Sequence, residues 1–160
     1  MVTMNYALEW YGYALEKHDD LIVKFMMHWI AFNWLYSECD SNNEKDKIRQ
    51  FCGNEETFKR LSRYDAFSTE AIEAFKEGPV SSMRPRGGER SSNRYLYRKI
   101  LEGSEQERVE ALLLSIYHVR CNLFHGSKSL RNDRDLKLVR SSAIIMEGYL
   151  EALLRDYPAD

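Results

Sequence analysis

Proline and glycine are scarce in this chain, three and eight in 160 residues, and their one cluster lies between residues 78 and 88. So few breakers leave little room for the many turns of an all-β fold. Cysteine is as rare as proline. Cys39, Cys52 and Cys121 are odd in number and show no CxxC spacing, which favours reduced thiols in a cytoplasm over a disulfide framework or a zinc site. Neither sign of charge dominates: 23 basic and 25 acidic residues give a net charge of -2. That removes the crude argument for nucleic acid, a globally basic chain, and leaves only a local patch to carry one. Long hydrophobic runs are missing as well. The longest, FMMHWIAFNWLY, is interrupted by His28 and Asn33 and is too short to span a bilayer, so no membrane association is expected. The opening MVTMNYALEWYGYALEKHDD has no basic n-region or apolar h-region, and no signal peptide is expected. No carboxylate–histidine cluster with metal-ligand spacing is visible, and no metal or cofactor is expected.

What is present is helical periodicity and enough apolar content, 44%, for a folded core. Met4, Leu8, Tyr11 and Leu15 share one face, and Leu21, Phe25, Trp29, Phe32 and Tyr36 fall within one stripe of a second segment. Ser41 and Glu44 fit a capping box at the start of a helix holding Ile48 and Phe51. Another helix can hold Phe58 and Leu61, and Ser68 is a plausible N-cap for one through Ile72 and Phe75. Residues 78–93, GPVSSMRPRGGERSSN, are the only clear breaker-rich stretch and read as a flexible basic loop carrying Arg84 and Arg86. A loop this long is functional or a solvated insertion, and Glu89 within it favours the latter. Tyr95–Leu101 forms a short helix stopped at Gly103, and Ser104 with Glu107 makes a second capping box for a long segment. Leu136, Val139, Ala143, Met146, Leu150 and Leu153 then mark a long final helix. The expectation is one all-α, single-domain helical bundle over residues 1–160, with long central and C-terminal helices and shorter middle ones.

The long segment ends in VRCNLFHG, residues 119–126. On a helical wheel Leu112, Leu113, Ile116, Tyr117, Leu123 and Phe124 lie within roughly 80° of Val109, and Arg120 lies at about 20°. A guanidinium therefore stands where the pattern calls for leucine. Burying it is costly unless it is paired or the stripe opens onto a cleft or a second subunit. Alternatively the Arg stem covers apolar surface while its head reaches a carboxylate or a helix C-terminus. His125 points about 140° away in a continuous helix, but Gly126 suits a left-handed C′ position that would let His125 turn back. Asn122 and His118 point away from the Arg120 face, and His118 is expected to be exposed. With fourteen arginines and four histidines, an Arg followed four to six residues later by His arises roughly once by chance. The placement of the pair, not its spacing, carries the weight. His28 reads as a hydrogen-bonded core residue, and Asn33 as a buried polar group that supports Arg120 or bonds internally.

The stretch YHVRCNLFHGSK resembles the hallmark of the HEPN superfamily (higher eukaryotes and prokaryotes nucleotide-binding domains), an Arg followed after four to six residues by His, late in a small helical bundle. FMMHWIAFNWLY resembles an earlier core helix of prokaryotic branches. The resemblance implies a metal-independent endoribonuclease whose site is assembled from two protomers, with Arg120 and His125 as the catalytic pair. The polar residue that often follows the Arg is Cys121 here, and the amide is displaced to Asn122. Such chemistry suits these side chains. A neutral imidazole can take the proton from a ribose 2′-OH that attacks the adjacent phosphate, and an Arg fork can hold phosphate oxygens. The products would be a 2′,3′-cyclic phosphate and a 5′-hydroxyl.

RNA must also be held. Lys128, Arg131 and Arg134 are placed to flank the motif, although Asp133 and Asp135 dilute them and a solvated helix start explains them equally. Three functions stay open: a toxin or defence-type ribonuclease homodimer; a non-catalytic module of the same fold binding a nucleotide, a nucleotidyltransferase or an antitoxin; and a structural helical dimer in which Arg120 forms a buried ion pair.

Overall fold

A computed structural model describes residues 2–16, 20–81, 89–124 and 131–157. Among them every regular element is a helix: α1 (Val2–Glu16), α2 (Leu21–Tyr36), α3 (Glu44–Gly53), α4 (Glu55–Leu61), α5 (Glu73–Lys76), α6 (Glu89–Glu102), α7 (Glu105–Phe124) and α8 (Asp133–Leu154). The chain is an all-α helical bundle, as its periodicity indicates. None of the described helices is long and apolar enough to cross a membrane.

Local chemistry sets the helix ends. Asp20 accepts from the amides of Ile22 and Val23 at 2.9 and 3.3 Å and starts α2. Ser104 and Glu107 form the expected capping box, the Ser104 amide donating to Glu107 at 2.9 Å and the Glu107 amide to Ser104 Oγ at 3.4 Å. At α3 the cap differs from expectation. Asn43, not Ser41, is the N-cap and accepts from the Asp46 amide at 2.9 Å; Asn wins because its short amide reaches the third amide of the helix directly. Glu44 is thereby released from capping. The helix expected after Ser68 is also broken: Ser68 itself ends a 3₁₀ turn (Ala66–Ser68), and a second 3₁₀ turn (Glu70–Ile72) leads into the four-residue α5. Asp65 caps the first of these turns by accepting from the Phe67 amide at 3.1 Å, a local bond that competes with regular helix. The expected loop is shorter at its far end, because α6 already begins at Glu89.

α2 packs between α1 and α8, while α7 lies against α3, α6 and α8. The core joins Phe25, Trp29, Phe32 and Tyr36 of α2 to Leu112, Leu113, Ile116 and Val119 of α7 and to Val139, Met146 and Leu150 of α8. Phe32 is its aromatic hub, edge-on to Trp29 at 5.4 Å, Tyr36 at 5.0 Å and Phe51 at 5.7 Å, geometry that aromatic quadrupoles favour. With neighbours on several sides, α7 has little solvent face. His118, expected to be exposed, is buried. A wheel drawn for one helix cannot count the helices that surround it. The three cysteines are free thiols.

The described start of the breaker-rich segment, residues 78–81, packs against the bundle as a strap. The carbonyls of Gly78 and Pro79 accept from Arg134 at 3.1 and 3.5 Å, that of Val80 from Asn93 at 2.5 Å, and that of Ser81 from Asn122 at 2.7 Å. Four consecutive carbonyls are thus satisfied by side chains of α8, α6 and α7, as irregular backbone near a core requires.

His28 is fully buried and bonds Glu147 at 3.2 Å, while Lys24 pairs with the same carboxylate at 2.5 Å. Tyr11 of α1 lies 5.8 Å from the imidazole. Burial pushes the His28 pKa below its ordinary 6.5, against the pull of Glu147. The unfolded chain therefore takes up this proton at a higher pH than the folded chain does, and stability falls as the pH drops through about 6.5. For Glu147, burial works against the charge, but Lys24 and His28 hold its pKa below the usual range; its contribution is lost only at more acidic pH. Urea midpoints at pH 7.5 and 5.5 are expected to differ in the wild type and to converge in His28→Gln. An equal drop in both proteins would remove His28 as its source.

Candidate functional site

Arg120 lies one turn before the C-terminal residue of α7, Phe124, on the side that faces Trp29. Its Nη1 donates to Glu44 Oε2 at 3.2 Å, and the two side chains are 27% and 26% exposed. The pair is therefore reachable from solvent and yet rooted in the core. The guanidinium carbon lies 5.8 Å from the Trp29 ring and 5.2 Å from that of Phe124, which is itself half exposed. Such contacts favour a weakly hydrated cation. Its Nε is buried without a hydrogen-bond partner among the described residues. Nη1 also approaches the Cys121 sulfur at 3.7 Å.

Glu44 is held from behind. The Tyr36 hydroxyl donates to its Oε1 at 2.5 Å, and Asn33 Nδ2 donates to the Tyr36 oxygen at 2.8 Å and to Glu44 Oε1 at 3.4 Å. Burial, then the bond to Glu44, push the Tyr36 phenol far above its ordinary pKa, so near neutrality it is a fixed O–H donor. Burial likewise raises the Tyr117 phenol, with Cys121 and Glu44 adding to the shift. Burial opposes the charge on Arg120, but Glu44 and Cys121 outweigh it, and the guanidinium stays protonated. The result is a chain from Asn33 through Tyr36 and Glu44 to Arg120 that ties α2, α3 and α7 together.

Of the residues singled out from the sequence, the structure brings Arg120 and Asn33 together, with Glu44 between them. Asn33 is exposed rather than buried, because it stands at the rim of the cluster. Asn122 lies on the far side of α7, 2% exposed and bonded to Ser81; the helix runs unbroken past it, so its amide stays opposite Arg120. Arg134 holds the strap and also reaches Glu77 at 3.4 Å, and Arg131 is exposed. His125, Lys128, Arg84 and Arg86 lie outside the described residues.

Glu44, Tyr36 and Phe124 escaped the reading of the sequence as site residues. For Glu44 a signal was present. It shares the inward face of α3 with Ile48, Phe51 and Cys52 at spacings of four, seven and eight, and a buried-face carboxylate is what an Arg centred on an apolar stripe requires. Comparison with protein-family models, with curated proteins and with solved structures finds no match. Function must therefore be argued from this cluster. Among the described residues no group of three or more His, Cys, Asp or Glu side chains is placed to hold a metal ion.

Proposed function

We propose that the chain is an HEPN-type domain that cleaves RNA by attack of a ribose 2′-OH on the adjacent phosphate, with Arg120 as the phosphate-binding residue. The observation that supports this most is the guanidinium itself. It is partly exposed at the end of α7, backed by Trp29 and held through Nη1 by Glu44. With Nη1 on Glu44 and Nε buried, Nη2 is the guanidinium nitrogen left to meet an anion. In this reading Arg120 binds phosphate oxygens and offsets the charge that builds on them, and His125 takes the 2′-OH proton and later returns one to the leaving 5′-oxygen. The role of His125 rests on the resemblance of VRCNLFHG to the family motif. A second protomer would complete the site, and the setting would be that of a toxin or defence effector.

One observation favours a second reading, a non-catalytic module that binds a nucleotide or a partner such as a nucleotidyltransferase or antitoxin. Cys121 stands where the family often has a polar residue, and the nearby amide of Asn122 is engaged by Ser81.

Purified protein incubated with mixed RNA in EDTA separates the two. Cleavage to 2′,3′-cyclic phosphate ends is expected, and His125→Ala should slow it by roughly 10²–10⁴-fold, the usual reach of a general base. Stable RNA or nucleotide binding with no hydrolysis would favour the second reading. Cleavage that persists in His125→Ala, or that requires added magnesium, would rule out the first.

A further inference from the structure

We propose that Glu44 is a positioning residue, whose carboxylate, fixed by Tyr36 and Asn33, sets the direction in which Arg120 presents its guanidinium to RNA phosphate; this rests on the ribonuclease reading of the site. An unrestrained Arg side chain samples many rotamers, and a phosphate clamp is effective only when that freedom is removed in advance.

Glu44 is built for that task. The end of α3 does not need its carboxylate, because Asn43 supplies the cap. The two carboxylate oxygens have separate duties. Oε1 takes the Tyr36 hydroxyl at 2.5 Å and the Asn33 amide at 3.4 Å, both from α2, while Oε2 takes Arg120 of α7 at 3.2 Å. Tyr36 is fully buried among core aromatics, so the anchor at the back of the chain cannot swing. The contact uses Nη1, and the rings of Trp29 and Phe124 lie 5.8 and 5.2 Å from the guanidinium carbon. One rotamer is thereby held without enclosing the cation.

A carboxylate beside a phosphate site repels the substrate, which gives positioning a kinetic signature of its own. Replacing Glu44 by Gln removes the repulsion along with the restraint. For Glu44→Gln, kcat should fall roughly tenfold to hundredfold, the scale of a misplaced catalytic group, while KM stays level or drops. Tyr36→Phe, which keeps the ring and removes only the hydroxyl, should lower kcat in the same direction by less. A residue with a merely structural role would change the melting temperature without this split.

The test measures kcat and KM on single-stranded RNA in EDTA for wild type, Glu44→Gln and Tyr36→Phe. Beside it, ¹⁵N NMR follows the side-chain resonances of Arg120, assigned by their loss in Arg120→Ala. The expected result is slow rotation of the Arg120 guanidinium in the wild type and fast rotation in Glu44→Gln, together with the kcat loss. A folded Glu44→Gln protein with wild-type kcat overturns the proposal, as does guanidinium rotation that the substitution leaves unchanged. Should Glu44→Gln fail to fold, Tyr36→Phe carries both measurements with the same expected directions. A wild type that cleaves no RNA refutes the ribonuclease reading alone, and the rotation then decides whether Glu44 orients Arg120.

Discussion

On the ribonuclease proposal, Arg120→Ala is expected to slow RNA cleavage by roughly 10²–10³-fold, the cost of losing one preorganised donor at a developing oxyanion, while the protein remains folded. The two halves of that expectation have different origins. In that reading the rate depends on the guanidinium because Arg120 is the cation paired with Glu44, whose other oxygen takes the Tyr36 hydroxyl. Stability depends on it far less. The ion pair is about a quarter exposed on both sides, and partly solvated pairs contribute little. Without Arg120, Glu44 keeps the Tyr36 hydroxyl and the Asn33 amide as donors, so no carboxylate is left stranded. Lost packing of the Arg stem on Trp29 adds a modest cost, for a total of about 1–2 kcal/mol. Arg120→Lys keeps the charge but loses the planar fork, and its rate should fall between those of wild type and Ala. Cleavage assays and urea melts on the same preparations decide the matter. Unfolding of Arg120→Ala without any effect on RNA binding would mark a structural ion pair instead, and unchanged cleavage would remove Arg120 from the site.

The parts of this molecule that were legible in its sequence are those where one helix decides by itself. The α2 stripe, the Ser104–Glu107 box and the α8 seam follow from period and local hydrogen bonding, and the structure agrees with them. So does the position of Arg120 on the inner stripe of α7. What was not legible needed a second element. His118 faces away from the Arg120 stripe and is still buried, because α7 has neighbours on several sides. Asn122 and Arg134 look like site residues until the strap from Gly78 to Ser81 supplies carbonyls for both. Glu44 was hidden by a cap pattern that Asn43 fills more directly. Asn122, Arg134 and Glu44 were each assigned to the nearest local motif, while the fold gave each a partner more than forty residues away.

Gly148→Ala is expected to destabilise the protein, against the intrinsic preference of a helix for alanine. Within α8 alone the exchange should help by about 0.5–1 kcal/mol, since glycine is the weaker helix former. The structure reverses the sign because a Cβ at Gly148 would overlap the outer ring carbons of Tyr64, Cζ and both Cε. That ring meets Tyr149 edge-on at 5.3 Å, and Tyr149 is fully buried. Tyr64 also opens the connection of 3₁₀ turns that runs from α4 towards α5. Displacing it loosens both the aromatic contact and the entry to that connection. Overpacking of this kind costs about 1–3 kcal/mol, enough to outweigh the gain in propensity. The double variant Tyr64→Ala/Gly148→Ala gives the decisive comparison. With the ring gone, the added methyl has room, and Gly148→Ala should become neutral or stabilising in the Tyr64→Ala background. Urea unfolding of the four proteins reads the coupling directly. Equal effects of Gly148→Ala in both backgrounds would mean that the Tyr64 ring is not what keeps this position a glycine.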